Sequence, residues 1–312
     1  MSAEQVAKTS YSFVESKKNK IIVYGTKNKE IRNFLSFLLA DNNDVAYVSF
    51  SELDQKDLYY FPAGVYIIHG EDNAFIEYLK VSNTFIFYCP TDKENLINTI
   101  EDFSKIYSII ENYNKTINFI FVSTTEVYGK KRNEMLFVDS PLMPSTNKGR
   151  AYAMLEHYVY NLPSYKIIRI PELYTDDVEI KMKNFINYIK NINIVRIPEN
   201  KEYINFLYPE TLYKAIKILM NSQNKAIVHL TDTPNLTFQT FLQSVAIEFN
   251  KKIKTSTKVQ AVLLSFSKDI PDIFKYDQNL SIIDQEGFGL NTYKPIKSII
   301  KELIEKTKDK SI

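Results

Sequence analysis

The chain has 312 residues, 45% of them apolar and 24% charged, with seven glycines, eleven prolines, one cysteine and no tryptophan. At the usual glycine share of about 7%, roughly 22 would be expected, so collagen-like, glycine-linker and low-complexity chains are excluded, and the globular composition excludes disorder. The near balance of 39 basic and 37 acidic residues, a formal net charge of +2, gives no electrostatic case for nucleic acid or an anionic membrane as the main partner.

Residues 1–19 are polar without clear periodicity and read as an N-terminal tail or an added helix. They lack the apolar core of a secretory signal, the single cysteine, Cys89, cannot form an intramolecular disulfide, and no run approaches the roughly 18 apolar residues of a spanning helix. A cytoplasmic protein is expected. From Ile21 an alternation begins. Ile21 to Tyr24 is strand-like and meets Gly25; Ile31, Phe34, Leu35, Leu38 and Leu39 fall at helical spacing; Val45 to Phe50 is again strand-like. Val65 to Ile68 and Thr84 to Cys89 are two further strands, with Phe75, Ile76 and Leu79 on one helical face between them. An amphipathic segment from Asp92 to about Asn112 precedes a strand at Ile117 to Val122. Strands separated by helices must run parallel, so residues 20–175 predict a doubly wound, Rossmann-type α/β sheet. Beyond Arg169 the pattern turns to helices with short strands, including Phe185 to Ile189, Leu212 to Met220, Phe238 to Phe249 and the strand Ala226 to Leu230. Residues 176–312 are expected to form a smaller C-terminal α/β lobe, with some strand exchange between the lobes. The 42 Tyr and Phe residues are dispersed along apolar faces, as core filling requires. His69, His157 and His229 are isolated from one another, and no metal site is expected.

Two strings carry chemistry. The heptad Ser123-Thr124-Thr125-Glu126-Val127-Tyr128-Gly129 follows the strand ending at Val122, and the segment Pro144 to Glu156 reads PSTNKGRAYAMLE. Both resemble signatures of the extended short-chain dehydrogenase/reductases, the family of nucleotide-sugar epimerases, dehydratases and ketoreductases. Ile167 to Tyr174, Ile204 to Leu212 and Gly287 to Leu290, followed by a helix from Pro295, extend the resemblance over nearly the whole chain. It implies a nicotinamide cofactor, NAD or NADP, a nucleotide-sugar ligand, and a cleft between the lobes as the site. It also implies a homodimer formed through the segments 92–112 and 150–161.

Residue by residue, the resemblance gives Thr124 the hydroxyl that bonds the sugar oxygen being oxidised, and Glu126 the place of a base. The family's Tyr-x-x-x-Lys dyad places a cation one helical turn from the tyrosine to lower its pKa from about 10. Two registers fit here. In one, Tyr152 keeps the tyrosine place and Glu156 replaces the lysine. In the other, preferred because Pro144, Gly149, Arg150 and Glu156 then fall on their usual places, Lys148 stands for the tyrosine and Tyr152 for the lysine. Lys148 and Tyr152 sit at i and i+4, so an exchanged dyad, amine towards substrate and phenol towards the cofactor ribose, is one expectation.

The family's phosphate loop, G-x-x-G-x-x-G, begins at Gly25 but continues with Asn28 and Ile31, and no acid ends the second strand at Val48-Ser49-Phe50. Gly25, Lys27, Asn28 and Ile31 are the candidate cofactor-binding positions, with Lys27 or Lys29 available to phosphate. Departures at the glycine loop, the ribose acid and the dyad together predict lost or altered hydride transfer, leaving a nucleotide-sugar-binding or non-catalytic subunit and possibly no cofactor. The alternative is an active NAD(P)-dependent enzyme with a rearranged site built from Thr124, Glu126, Lys148 and Tyr152.

Overall fold

The computed structural model describes residues 18–89, 96–199, 202–222, 224–256, 277–290 and 296–308. Most of the predicted tail, the start of the segment from Asp92, Pro295 and the last residues of the chain lie outside these. Seven strands form one parallel sheet: β1 (Lys20–Gly25), β2 (Asp44–Ser49), β3 (Tyr66–His69), β4 (Thr84–Tyr88), β5 (Asn118–Thr124), β7 (Tyr165–Ile170) and β11 (Ala226–His229). Their order is β11-β7-β5-β4-β1-β2-β3, and β1 pairs with β2 on one side and β4 on the other. The strand order reverses at β1, so a crevice opens beyond the carboxyl ends of β1 and β4, at Gly25 and Tyr88. The fold is a doubly wound α/β sheet with a smaller C-terminal α/β lobe.

The sheet strands read as continuous apolar runs because both faces are covered. Ile22, Phe85, Phe87, Phe119 and Phe121 face helices α2 (Asn73–Val81), α3 (Leu96–Tyr113) and α4 (Asn147–Val159). The alternate residues Ile21, Val23, Ile86, Ile120 and Val122 face α1 (Lys29–Ala40) and α6 (Pro209–Met220). Ile31, Phe34, Leu35 and Leu38 put one stripe of α1 fully into this second core, each contributing about 1.5–3 kcal/mol.

A third core lies in the C-terminal lobe. Val178, Phe185 and Ile189 of α5 (Asp176–Asn191) pack with Phe241 and Val245 of α7 (Phe238–Glu248) and with Ile299 and Leu303 of the helix Ile296–Lys308. The lobe carries β9 (Ile194–Pro198) paired with β12 (Lys252–Ser256), while β8 (Glu172–Leu173) pairs with β10 (Phe206–Leu207). The strand β13 (Asp277–Leu280), near the C-terminus, pairs with β6 (Lys131–Leu136) from the first half of the chain.

A buried polar network joins these parts. Arg169 on β7 is 1% exposed and Glu156 on α4 is 0%. Nη2 of Arg169 donates to Glu156 Oε2 at 2.7 Å and to the Tyr160 hydroxyl at 3.0 Å, and Nη1 donates to the Val138 carbonyl at 2.7 Å and to the Tyr128 hydroxyl. Ser123 Oγ donates to Glu156 Oε1 at 2.5 Å. The Tyr128 hydroxyl lies 2.7 Å from His229 Nε2, whose Nδ1 is 3.0 Å from the Ser281 carbonyl. That carbonyl only accepts, so Nδ1 carries the imidazole proton and Nε2 accepts from Tyr128. Burial first, then the Arg169 charge, push the His229 pKa down to about 4.

Truncation of one partner of the ion pair leaves a buried charge. Glu156→Ala is expected to lower stability by about 3–5 kcal/mol, read as a shift of the urea midpoint. The depressed His229 pKa means that the unfolded chain binds the proton and the folded one does not between pH 6.5 and about 4. Stability is therefore expected to fall by up to about 3 kcal/mol as pH drops through that window, and His229→Gln is expected to remove this part of the slope.

Candidate functional site

The heptad Ser123–Gly129 closes β5 and turns tightly. Thr124 ends the strand, and its hydroxyl accepts from the Glu126 amide at 3.2 Å, capping a 3-10 turn over Thr125–Tyr128. Gly129 follows at φ +91°, where a Cβ would also meet the Met143 carbonyl at 2.6 Å, so glycine is required there. The second string begins α4: Thr146 caps it, accepting from the Gly149 amide at 2.9 Å, and donates its own hydroxyl to Glu126 Oε2 at 2.7 Å. Gly149 lets the helix touch the turn, since a Cβ there would sit 2.5 Å from the Glu126 carbonyl. Lys148 Nζ is then 3.6 Å from Glu126 Oε1.

Thr124, Glu126 and Lys148 thus converge, and they line a cavity of about 20 Å³ completed by Pro171, Glu172, Asn205 and Gln278. That is room for about one water. Gln278, 1% exposed on β13, seals one wall: its Nε2 donates to the carbonyls of Thr125 at 2.8 Å and Gly129 at 2.6 Å, while Asn205 Nδ2 donates to the Gln278 carbonyl at 2.7 Å. Asn205 lies in a segment flagged by the family resemblance. Gln278 carries no local signal, because its contacts lie about 150 positions away.

Tyr152 is not part of this convergence. It is fully buried, its ring stacks on Phe121 at 5.6 Å between centroids, and its hydroxyl donates to the Cys89 carbonyl at 2.6 Å. The phenol therefore bridges α4 to the residue just past β4. Lys148 Nζ lies 5.8 Å from the Tyr152 ring centroid, over its face.

At the crevice, a Cβ on Gly25 would be 2.4 Å from the Tyr88 carbonyl and 2.8 Å from Ile31 Cδ1. Ile31 is a core residue, 0% exposed, and its side chain fills the space beside the Gly25 turn. Asn28 caps α1 by accepting from the Ile31 amide at 2.9 Å, and Glu30 adds a negative charge to the first turn. Helix N-termini bind phosphate through open amides and a positive end. Here one of those amides is taken by the cap and the field is opposed. The Gly25 carbonyl accepts from the Tyr47 hydroxyl at 2.5 Å. Lys27 donates to Asp57 at 2.8 Å and to Ser51 at 3.3 Å, holding the Asp57 carboxyl below the usual carboxylate range. Lys29 pairs with Asp176 of α5. The cations nearest to a phosphate path are thus engaged with carboxylates of the chain itself.

No protein-family model matches this sequence, and no curated protein does. Solved structures match over almost the full length. The enzyme WbmG of Bordetella bronchiseptica, in complex with NAD and UDP, aligns at a TM-score of 0.62 and 11% identity, covering 92% of this chain and 94% of that one. The UDP-glucose 4-epimerase of Thermotoga maritima, with UDP-glucose, aligns at 0.61 and 14%, covering 93% and 99%. The UDP-N-acetylglucosamine 4-epimerase of Methanobrevibacter ruminantium M1, in complex with UDP-N-acetylmuramic acid, aligns at 0.62 and 16%, covering 93% and 98%. The chain has the extended short-chain dehydrogenase/reductase fold. At these identities the likeness is one of fold, and it accounts for the strand order and for the crevice at β1 and β4. Among the described residues no helix is long and apolar enough to cross a membrane, and no group of three or more His, Cys, Asp or Glu is placed to hold a metal ion.

Within this fold Tyr152 has a structural task, satisfying a buried backbone carbonyl. Tyr152→Phe is expected to cost about 1–2 kcal/mol, the penalty of leaving that carbonyl without its donor, measured by thermal or urea unfolding.

Proposed function

We propose that this protein is a divergent relative of nucleotide-sugar epimerases and dehydratases that does not carry out NAD(P)-dependent hydride transfer, and serves as a nucleotide-sugar-binding or non-catalytic subunit. The observation that carries the reading is that groups of the chain itself occupy both ends of the path a dinucleotide would follow. At one end Asn28 caps the Ile31 amide and the Ile31 side chain fills the space beside Gly25. At the other the Tyr152 phenol spans to the Cys89 carbonyl. The residues present do not fit a dinucleotide. The one-water cavity at Thr124, Glu126 and Lys148 supports the same reading, since a sugar ring needs far more room.

A nucleotide-sugar ligand is favoured by the bound species of the fold's neighbours, UDP in WbmG and UDP-glucose in the Thermotoga epimerase. A cytoplasmic homodimer built on α3 and α4, with the lobes divided near residue 175, belongs to the same proposal. The second reading is an active enzyme with a rearranged site. It draws on the convergence of Lys148 with Thr124 and Glu126, the geometry of the second motif register.

Thermal unfolding in the presence of NAD⁺, NADH, NADP⁺, NADPH, UDP, GDP and dTDP separates the readings. A ligand at about 100 times its Kd adds about 2.7 kcal/mol to stability, which moves Tm by several degrees. The expected outcome is no saturable shift with any dinucleotide and a saturable shift with one nucleoside diphosphate. Saturable stabilisation by a dinucleotide overturns the proposal in favour of the second reading.

A further inference from the structure

The cavity at Thr124, Glu126 and Lys148 has room for about one water, whereas the ligand proposed above carries a sugar. One side chain does most to close it. Gln278 is 1% exposed, and its Nε2 donates to two carbonyls of the turn that ends β5, Thr125 at 2.8 Å and Gly129 at 2.6 Å. Both protons of the amide are thereby engaged. The backbone around Gln278 is held from the other side of the cleft. Its carbonyl accepts from Asn205 Nδ2 at 2.7 Å, and the Asp277 carboxylate beside it accepts from the Tyr203 amide at 2.8 Å. Tyr203 and Asn205 flank Ile204, which lies in the core of the C-terminal lobe. Two hydrogen bonds of Gln278 therefore tie that lobe to the wall of the site.

The strand that carries Gln278 is interrupted at that residue. β13 and β6 form a two-stranded ribbon, an arrangement of marginal stability by itself. Asp277 pairs with Lys131 but Asn279 with Met135, so a step of two residues along β13 matches a step of four along β6. Breaks of this kind concentrate beside functional sites, where they re-aim a side chain. Just past the break, Asn279 Oδ1 is buried and, among the described residues, accepts no hydrogen bond, which disfavours the closed form. Further on the strand is fixed to the sheet: Leu280 packs in the core beneath α2, α3 and α4, and the Ser281 carbonyl meets His229 Nδ1. The break thus divides an end anchored on the sheet, Leu280 and Ser281, from an end tied to the lobe, Asp277 and Gln278.

We propose that Gln278 is a latch between the lobes that keeps the site shut, and that a nucleotide-sugar enters when Asp277 and Gln278 swing away from the Thr125–Gly129 turn about Leu280. The two carbonyls released are then open to the hydroxyl donors of a sugar. The inference rests on the nucleotide-sugar-binding reading above and deepens it by supplying the room that the closed cavity lacks. When only a fraction of the molecules is open, the apparent affinity is reduced by that fraction, so weakening the latch raises it.

Calorimetric titration of the full chain with UDP-glucose, GDP-mannose and dTDP-glucose tests it. Gln278→Ala removes both donors, and Gln278→Glu keeps the shape while setting an acceptor against the two carbonyls. Each is expected to bind one of these nucleotide-sugars at least about tenfold more tightly than the parent chain. In the parent, that ligand is expected to speed hydrogen exchange at the Asp277 amide, which donates to the Lys130 carbonyl at 2.8 Å, and to leave the Ser281 amide, which donates to the Leu136 carbonyl at 2.8 Å, unchanged. If both variants bind no more tightly than the parent, or if the ligand slows exchange at Asp277, the latch is overturned and the binding reading stands. If neither the parent nor either variant binds any of the three at millimolar concentration, both are overturned.

Discussion

The buried pair of Arg169 and Glu156 sets the orientation of the candidate site. A guanidinium and a carboxylate taken out of water are tolerable only if their donors and lone pairs are met, which accounts for Ser123, Tyr128, Tyr160 and the Val138 carbonyl gathering around them. Once Glu156 must face Arg169, the rotation of α4 about its own axis is decided. Each four-residue step along a helix turns the side chain by about 40° beyond a full revolution. Tyr152 therefore points a little to one side of Glu156, towards the end of β4, and Lys148 further round, towards the turn at Thr124 and Glu126. The ion pair thus determines which residue of α4 meets which wall of the crevice.

The same logic shows why the two ends of the cleft differ from each other. At Lys148 the neighbouring groups are the carboxylates of Glu126 and Glu172 and the hydroxyls of Thr124 and Thr125, so this end is narrow and polar. At Gly25 the neighbouring groups are the Tyr88 carbonyl and an isoleucine, so the space is filled by core. One end has kept its polarity and lost its volume; the other has lost its amide-lined cradle.

Much of this was readable along the chain. Strands such as Ile21 to Tyr24 stood out because a sheet covered on both faces needs unbroken apolar runs, and the stripe of Ile31, Phe34, Leu35 and Leu38 because one face of α1 is core. The strings around Thr124 and Lys148 were legible as local turn and cap chemistry, and they meet in space. What the linear order does not carry is long-range pairing. Lys27 and Lys29 read as open to phosphate, yet their acids, Asp57 and Asp176, lie 30 and 147 positions further on. Gln278, which seals the site, and Tyr47, which takes the Gly25 carbonyl, look in sequence like any polar or aromatic residue at a strand.

The pairing of β6 with β13 has a consequence for how the molecule is made. Strand β6 ends at Leu136 and its partner starts at Asp277, and the Ser281 carbonyl that orients His229 comes later still. At a synthesis rate of about 5–20 residues per second, roughly 7 to 30 s separate the two strands. During that interval the nascent first half holds a strand with no neighbour and an unfinished wall at Thr125 and Gly129. The region richest in candidate chemistry therefore waits for a strand that is made well after its own turn and helix cap.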